Sequence, residues 1–241
     1  MKIFIGRDWR EDEAYRVCEH TLRKYSSSPL DIEPLSSAHP YYNRTFYWQG
    51  NQRFDEVDKK PFSTDFSFAR FLVPIIQGYK GWAMFVDCDF LFKADVQELF
   101  EMRDEEKAVM VVQHEHQPKQ FTKMDGVEQS KYPRKNWSSL VLWNCGHRSH
   151  ALKGPWKGLD GEKVNSYPGV WLHNFQWLEL DEIGSLPESW NYLVSHSLGG
   201  NPKALHFTEG GPWFENKRCV EYASDWVEER DSMIKDKNET S

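Results

Sequence analysis

Two carboxylates directly follow a continuous apolar segment of the sequence. Residues 82–86 predict a central strand covered on both faces, and Asp87-Cys88-Asp89 comes immediately after them. Because side chains alternate along a strand, Asp87 and Asp89 point the same way and repel each other unless a cation or a proton lies between them. Such oxygen ligands, at the strand end where open α/β sheets bind ligands, suit Mg²⁺ or Mn²⁺. The alternative is a solvated turn that caps the next helix, and the apolar strand favours the metal.

A histidine and a glycine pair form a second candidate site near the C-terminal end of the sequence. His206-Phe207 ends a short apolar segment, and Gly210 and Gly211 follow it. The imidazole is a potential metal ligand, and backbone without Cβ atoms can approach a phosphate closely. A purely structural turn is the alternative. The metal hypothesis requires His206 to meet the two aspartates in space.

Other polar residues could bind a nucleotide. Arg134-Lys135 precedes a predicted strand and offers two cations that suit phosphate, although a solvated basic turn has the same composition. Arg70 lies on a predicted helix that faces the metal strand, where it contacts the nucleotide or pairs with an acid. Asp8 follows the first predicted strand, where it holds the nucleoside or caps a helix.

Six further residues have weaker chemical patterns. Strand alternation would place His114 and His116 on one side, as in a zinc site, but no third and fourth ligand is evident. Contact with a sugar or simple surface polarity are the alternatives for this pair. Asp125 carries a carboxylate that could contact a transferred sugar. The tryptophans that could stack on sugar rings, or belong to the core, are residues 137, 171 and 177.

The elements that must position these residues alternate between strand and helix. Residues 2–6 predict a strand, helical spacing follows from Ala14, and residues 30–35 predict a second strand. This β-α-β start indicates an α/β fold with a mostly parallel, Rossmann-like central sheet flanked by helices. Residues 36–62 and 145–169 show no clear period and predict loops. The remaining predictions are strands at 82–86, 108–112, 140–143 and 204–207, and helices at 63–77, with a kink at Pro74, 96–100, 170–178 and 219–234.

Composition excludes several classes of protein. Lys+Arg number 30 against 37 Asp+Glu, and this net charge of −7 argues against a nucleic-acid or anionic-membrane partner. No stretch approaches the roughly 18 apolar residues that span a bilayer. The N-terminus becomes charged too early for a signal peptide, and four scattered cysteines predict buried thiols rather than disulfides. We therefore expect a cytoplasmic protein without a transmembrane segment.

The ordered set of motifs resembles the metal-dependent GT-A glycosyltransferases, and family 8 most of all. That family includes glycogenin and bacterial galactosyl- and glucosyltransferases. The resemblance rests on residues 66–100 around Asp87-Cys88-Asp89, on residues 186–191 (LPESWN), and on His206-Phe207. In the family, a strand runs into Asp-x-Asp and a later His-Phe supplies a further metal ligand. The resemblance therefore assigns Asp87, Asp89 and His206 to the metal.

Three departures indicate a divergent member. The family's Gly-x-x-Lys-Pro-Trp appears here as residues 208–213 (TEGGPW), which lack the phosphate-binding lysine. The family's Asp-Gln pair, which contacts sugar, appears as Phe175-Gln176. Its Asn-Ser-Gly signature is blurred into residues 136–139 (NWSS). Arg134 and Lys135 are the candidates to replace the missing lysine.

The resemblance implies one GT-A domain over residues 1–241, in which residues 219–241 form a C-terminal helix and charged tail. It implies transfer of a hexosyl unit from a nucleotide-diphosphate sugar, most simply a UDP-sugar, to a saccharide or other hydroxyl acceptor, with retention and with Mn²⁺ or Mg²⁺ as the cofactor. The implied catalytic residues are Asp87, Asp89 and Asp125, and the implied donor-binding residues are Asp8, Arg70, Lys135, Gly210 and Gly211. A nucleotidyltransferase with the same acid pair and a non-catalytic carbohydrate-binding module are the alternatives. The sequence gives no indication of the oligomeric state.

Overall fold

The computed structural model describes residues 1–114, 122–123, 127–128 and 134–239. His116 and Asp125, singled out above, lie outside the described residues. The described α-helices are α1 (Asp12–Tyr25), α2 (Val73–Ile76), α3 (Val96–Glu101), α4 (Gly161–Ser166), α5 (Gly169–His173) and α6 (Ala223–Glu239). The described strands are β1 (Lys2–Gly6), β2 (Asp31–Leu35), β3 (Phe46–Gln49), β4 (Gln52–Asp55), β5 (Pro61–Phe62), β6 (Trp82–Val86), β7 (Phe90–Phe92), β8 (Val109–Val111), β9 (Thr122–Lys123), β10 (Val127–Glu128), β11 (Leu140–Asn144), β12 (Ile183–Ser185), β13 (Tyr192–Leu193) and β14 (Ala204–His206).

Six strands form the main sheet, in the order β12-β8-β11-β6-β1-β2. Neighbouring strands are parallel except at β11, which runs antiparallel to both β6 and β8. β1, β6 and β11 are almost wholly buried, as apolar strands covered on both faces should be. The prediction of an α/β fold with a mostly parallel central sheet is confirmed.

A second sheet, in the order β13-β14-β7, lies beyond the carboxyl end of β6. β7 begins directly after Asp89 and pairs antiparallel with β14, so that Phe90 lies opposite His206. A separate apolar cluster covers this sheet and includes Val17 of α1 and Trp226 of α6. This pairing brings the end of β14 to the acid pair at the end of β6.

The prediction of a loop over residues 36–62 is wrong, because this segment contains the three-stranded antiparallel sheet β3-β4-β5. Rings occupy both faces of the β3-β4 hairpin, since Tyr47 stacks on Phe54 on one face and Phe46 and Trp48 share the other. Alternation between polar and apolar residues, the usual signal of a strand, is therefore missing. The two-residue turn at Gly50-Asn51, in which Gly50 has a φ of 59°, was the available signal.

Two other predictions are corrected. The continuous helix predicted over residues 63–77 is a series of turns, then a 3₁₀ turn at Ala69–Leu72 that runs into α2. Pro74 lies in the first turn of α2 and starts the helix instead of kinking it, because its missing N–H has no helical partner there. The segment 145–169, predicted as loop, contains α4, which Asp160 caps by accepting from the Lys163 N–H at 2.9 Å.

Cysteine burial follows the prediction at three of four positions. Cys18, Cys88 and Cys145 are buried and unpaired, whereas Cys219 is exposed. Among the described residues, no helix is both long and apolar enough to cross a membrane.

Candidate functional site

Asp87, Asp89 and His206 meet in space, although more than a hundred residues of chain separate the histidine from the acids. One ligand atom from each lies within 4.8 Å of the other two, and all three residues are buried. The main sheet supplies the acids at the carboxyl end of β6, and the pairing of β14 with β7 supplies the histidine. The local prediction of an acid pair and the requirement that His206 join it are therefore both met.

The imidazole of His206 is held in one orientation. Its ring stacks on Phe90 at a centroid distance of 4.3 Å, and its Nδ1 lies 2.8 Å from Asn191 Oδ1. The amide of Asn191 cannot be reversed, because its Nδ2 donates to the Asn136 carbonyl at 3.1 Å and the reverse orientation would set two oxygens against each other. Nδ1 therefore carries a proton that it donates to Asn191, and in the neutral ring this leaves the lone pair on Nε2.

The lone pair of His206 Nε2 faces an acid. Nε2 lies 3.4 Å from Asp89 Oδ1 and accepts no hydrogen bond from the described residues. An unprotonated nitrogen and a carboxylate oxygen at this distance repel each other unless a cation lies between them. Two carboxylates and an imidazole are a donor set that suits Mn²⁺, or Mg²⁺ with a less favourable nitrogen ligand. The residues present therefore fit a divalent cation.

An arginine neutralises the other acid. Arg70 Nη1 lies 2.9 Å from Asp87 Oδ1 and 2.8 Å from the Ser138 carbonyl oxygen, and both side chains of the pair are buried. The guanidinium also lies over the rings of Phe66 and Phe85, at 5.4 and 5.0 Å. Of the two roles weighed for Arg70, pairing with an acid is seen in the structure. Because Arg70 also lines the cleft described next, contact with a nucleotide stays a prediction.

The three ligands lie beside a cleft that Asp87 and Asp89 line. The acids form part of one wall, β5 and the residues that follow it form another, and α5 contributes a third. The position agrees with the strand topology, because the cleft opens where the carboxyl end of β6 meets the amino end of the antiparallel β11. Ligands of open α/β sheets bind at this edge.

Lys135 and Asn136 contribute a polar wall just before β11. Lys135 is buried and lines the cleft, whereas Arg134 faces away and holds the backbone carbonyl of Asn174 with its guanidinium. Asn136 has a φ of 65°, a left-handed conformation that asparagine tolerates better than most residues. Of the two cations predicted to replace the missing phosphate-binding lysine, Lys135 lines the cleft and Arg134 does not, and contact of Lys135 with phosphate stays a prediction.

His173 is a cleft residue that the sequence did not indicate. It ends α5 and accepts from or donates to Ser138 Oγ through Nδ1, at 2.9 Å. Burial, helped by the nearby positive charges of Arg70 and Lys135, lowers the pKa of His173 well below its usual value. The cleft therefore holds a neutral imidazole that can exchange hydrogen bonds with hydroxyl groups.

The pair Phe175-Gln176, which stood for the family's Asp-Gln in the sequence comparison, lies outside the cleft lining. Phe175 is wholly buried in the core and Gln176 is exposed. Phe175 has a φ of 51° at the end of α5, and the N–H groups of Phe175 and Gln176 donate to the carbonyls of Leu172 and Trp171. This helix-ending turn usually takes glycine, and it leaves His173 as the residue that α5 presents to the cleft.

Asp8 forms ion pairs with two neighbouring arginines. Its carboxylate is wholly buried and accepts from Arg10 at 2.7 Å, from Arg53 at 3.1 Å and from the Asp65 N–H at 3.0 Å. Asp8 also caps the turn after β1 by accepting from the Arg10 N–H. Together these contacts hold the segment after β1 against the three-stranded sheet β3-β4-β5, which we call the small sheet. Asp8 does not line the cleft, so the structure favours the capping alternative over contact with a nucleoside.

The two glycines differ in what they face. Gly210 lines the cleft with a φ of 90°, a conformation that side chains rarely adopt. A Cβ on Gly211 would lie 2.2 Å from the ring of Trp213, so packing against this ring explains the second glycine. The expected approach of backbone to phosphate therefore stays a prediction for Gly210 alone.

The candidate tryptophans make structural contacts. Trp171 and Trp177 are buried and contact each other at a centroid distance of 5.3 Å, as core residues do. Trp137 donates its indole N–H to the His114 carbonyl oxygen at 2.9 Å. The second histidine of the proposed zinc pair, His116, lies outside the described residues, as does Asp125.

Comparison with solved structures identifies the fold. The chain superposes on galactosyltransferase LgtC, solved with donor and acceptor sugar analogues, with a TM-score of 0.58 over 96% of both chains, at 12% identity. It matches the glycosyltransferase GlyE of Streptococcus pneumoniae (TM-score 0.56, 95% of this chain, 16% identity) and the bifunctional glycosyltransferase WbbM (0.56, 95%, 16%). The chain spans 60% of the length of GlyE and about half that of WbbM. At these identities the likeness establishes a glycosyltransferase fold of the GT-A type.

Comparison with sequences establishes the family. No protein-family model matches the chain. The chain is 46% identical to Protein CDI of Arabidopsis thaliana over 242 aligned positions, which cover 98% of this chain and 88% of the relative. Identity at this level over nearly the whole length requires common ancestry and a common fold. The chain belongs to the family of Protein CDI.

Proposed function

We propose that this protein is a glycosyltransferase that moves a hexosyl unit from a nucleoside-diphosphate sugar to a hydroxyl acceptor, with Mn²⁺ as its cofactor. The observation that carries the proposal is the cluster of Asp87, Asp89 and His206 beside a cleft, in which Asn191 orients the imidazole and Nε2 lies 3.4 Å from Asp89. The GT-A fold supports the same reaction. We take a UDP-sugar as the donor because of the resemblance to family 8.

The residues that would hold the cation are Asp87, Asp89 and His206. When bound, the ion supplies positive charge to the diphosphate and stabilises the charge that develops on the leaving nucleotide. The imidazole ligand favours Mn²⁺ over Mg²⁺, since nitrogen suits the softer ion better.

Two cations of the chain complete the electrostatics of the donor site. Lys135 is buried in the cleft wall, where its ammonium balances a diphosphate that the acids alone would repel. Arg70 offsets the charge of Asp87 and holds the backbone before β11 through the Ser138 carbonyl. In this arrangement Lys135 binds phosphate and Arg70 positions the acid.

The neutral imidazole of His173 lies in the same cleft and suits the transferred sugar. Ser138, whose carbonyl accepts from Arg70, holds the ring through its hydroxyl, so His173 is connected to the acid pair by a short series of contacts. Because burial lowers the pKa of His173, it binds sugar hydroxyls without adding charge. We assign to His173 the contact with sugar that the family's Asp-Gln pair makes and that Phe175-Gln176 cannot supply.

We propose retention of the anomeric configuration. The bond between the anomeric carbon and the phosphate oxygen breaks, a bond to the acceptor oxygen forms on the same face, and the acceptor proton passes to the departing phosphate. The proposal of retention comes from the resemblance to family 8. Among the described residues, the carboxylates that line the cleft besides the metal group are those of Glu11 and Asp58, and Asp58 already accepts from the Gly169 N–H at 2.9 Å. The nucleotidyltransferase alternative needs a basic glycine-rich loop after β1, whereas that segment is held by the contacts of Asp8 with Arg10 and Arg53.

Calorimetric titration with UDP tests the proposal. We expect binding in the presence of Mn²⁺ that a chelator abolishes and that Asp89→Asn weakens severely. Asp181→Asn, which removes an exposed carboxylate outside the cleft, is the matched control and should bind as the wild type does. Equal affinity for UDP with and without metal contradicts the proposal.

A further inference from the structure

Three aromatic rings form a continuous surface on the small sheet, which we call the aromatic ledge: Phe46 and Trp48 of β3 and Phe62 of β5. Trp48 lies opposite Arg53 in the β3-β4 pairing, and Arg53 lies opposite Phe62 in the β4-β5 pairing. Directly opposed side chains share a face of an antiparallel sheet, as do residues 46 and 48 of one strand. The ring centroid of Phe46 lies 5.7 Å from that of Phe62 and 6.2 Å from that of Trp48.

A buried arginine supports the ledge from beneath. The guanidinium carbon of Arg53 lies 5.3, 5.9 and 5.7 Å from the ring centroids of Phe62, Phe46 and Trp48. Asp8 holds this guanidinium at 3.1 Å, and the Ser63 carbonyl holds it at 2.7 Å. Only 4% of Arg53 is exposed. The rings therefore rest on a fixed cation, and their orientation is set before any ligand arrives.

The ledge runs from the cleft to the surface. Phe62 lines the cleft and is 8% exposed, Phe46 is 38% exposed, and Trp48, furthest from the cleft, is 56% exposed. The opposite face of the hairpin is closed by the stacked pair of Tyr47 and Phe54. The exposed rings thus continue the wall of the cleft that, in the proposed function, holds the transferred sugar.

The size of the exposed surface indicates what binds there. Phe46 and Trp48, the two outer rings, together expose on the order of 200 Å², which is their exposed fraction of the area of a whole aromatic side chain. A stable protein partner needs about 800 Å² on each side, which this surface does not supply. A pyranose ring has an apolar C–H face and hydroxyls at its edge, so it stacks on an aromatic ring while its hydroxyls stay in water. Two rings about 6 Å apart accommodate one or two sugar units.

We propose that the aromatic ledge is the acceptor subsite, and that the acceptor is a saccharide of two or more units whose terminal hydroxyl reaches the cleft. This proposal rests on the proposed function, because an acceptor is needed only if the protein transfers sugar. Phe62 contacts the unit that accepts the new bond, and Phe46 and Trp48 contact the units behind it. Asp8, expected from the sequence to bind the nucleoside, instead supports this subsite through Arg53.

The test separates hydrolysis of the donor from its transfer. The protein is incubated with Mn²⁺ and each of a set of UDP-hexoses. In one arm water is the only acceptor, and in the other a trisaccharide of glucose, galactose, mannose or xylose is added as the acceptor probe. We expect Trp48→Ala to hydrolyse the donor at the wild-type rate, with the KM for the trisaccharide raised about tenfold by the loss of one stacking ring and kcat little changed. Trp156→Ala, which removes a 64% exposed tryptophan outside the cleft, is the control and should leave both reactions unchanged.

The outcomes distinguish the two proposals. An unchanged KM for the trisaccharide in both Trp48→Ala and Phe46→Ala overturns the acceptor subsite, as does a wild type that hydrolyses the donor but uses none of the trisaccharides. A wild type that neither hydrolyses any donor nor binds UDP with Mn²⁺ overturns the proposed function, and the acceptor subsite with it. Because both outer rings are partly exposed, the variants should fold, and their melting temperatures verify this.

Discussion

Removal of the Asn191 amide should weaken metal binding without any change in the ligands themselves. Asn191 is wholly buried, contacts the imidazole of His206 through Oδ1 and the Asn136 carbonyl through Nδ2, and lies outside the metal cluster. In Asn191→Leu, a side chain of similar volume, the ring of His206 can turn and either nitrogen can carry the proton. In Asn191→Asp, a carboxylate still accepts from Nδ1–H and so keeps Nε2 free to bind a metal.

The expected magnitudes differ between the two variants. Loss of the group that orients a metal-bound histidine typically costs 10–100-fold in metal affinity, or about 1.4–2.7 kcal/mol, and Asn191→Leu should fall in this range. Asn191→Leu also removes the partner of two buried polar groups, the His206 Nδ1–H and the Asn136 carbonyl, at a cost of about 1–3 kcal/mol of folding stability each. Asn191→Asp loses the bond to the Asn136 carbonyl and sets a carboxylate oxygen against it, so its stability should fall while its Mn²⁺ affinity stays near that of the wild type.

Calorimetric titration with Mn²⁺ and thermal unfolding measure the two effects separately, and nitrogen NMR of the imidazole reports the tautomer directly. The neutral His206 ring of the wild type should show a protonated Nδ1 and an unprotonated Nε2. Wild-type Mn²⁺ affinity in Asn191→Leu, or a neutral His206 ring that carries its proton on Nε2, would refute the reasoning. If Asn191→Leu does not fold, the NMR result alone decides.

Three further predictions follow from buried ionisable groups. Arg70→Met should cost about 3–5 kcal/mol of stability in metal-free protein, because it leaves Asp87 without its guanidinium, and Mn²⁺ should raise the melting temperature of this variant more than that of the wild type. Lys135→Ala should weaken UDP binding by about 1.5–3 kcal/mol in a titration in which Lys157→Ala, outside the cleft, changes nothing. Burial lowers the pKa of His150 to about 4. As the pH falls below 6.5, the unfolded chain therefore takes up a proton at this histidine before the folded chain does. The free energy of unfolding should fall by about 3 kcal/mol between pH 6.5 and 4. Denaturant unfolding across this range should show a smaller loss for His150→Gln, and an equal loss would exclude His150 as a cause.

Local patterns were sufficient to predict the acid pair and the sheet that holds it. Asp87 and Asp89 lie within three residues of the apolar end of β6, so the strand and the acids that it positions can be recognised from one short segment of sequence. The β-α-β start likewise depends on short-range periodicity. The sequence could name His206 as a ligand candidate, but its contact with Asp89 depends on the pairing of β14 with β7.

Long-range contacts and unusual backbone conformations account for what the sequence did not reveal. Asn191 contacts Asn136 across 55 residues of chain, a relation that no local pattern encodes. His173 remained hidden because a buried phenylalanine, Phe175, takes the left-handed position where glycine would have marked the end of a helix. The aromatic ledge remained hidden because rings on both faces of its hairpin remove the alternation that indicates a strand.

The central claim is that the metal site beside the cleft transfers sugar, and proton NMR of the first-formed product tests it most directly. UDP-hexoses with an α-linkage are incubated with the protein and Mn²⁺, and the anomeric signals are followed before mutarotation. We predict Mn²⁺-dependent formation of an α-configured sugar product by the wild type and none by Asp89→Asn. A β-configured first product would contradict retention, and the absence of product from every UDP-hexose with the folded wild type would contradict the assignment as a UDP-dependent hexosyltransferase.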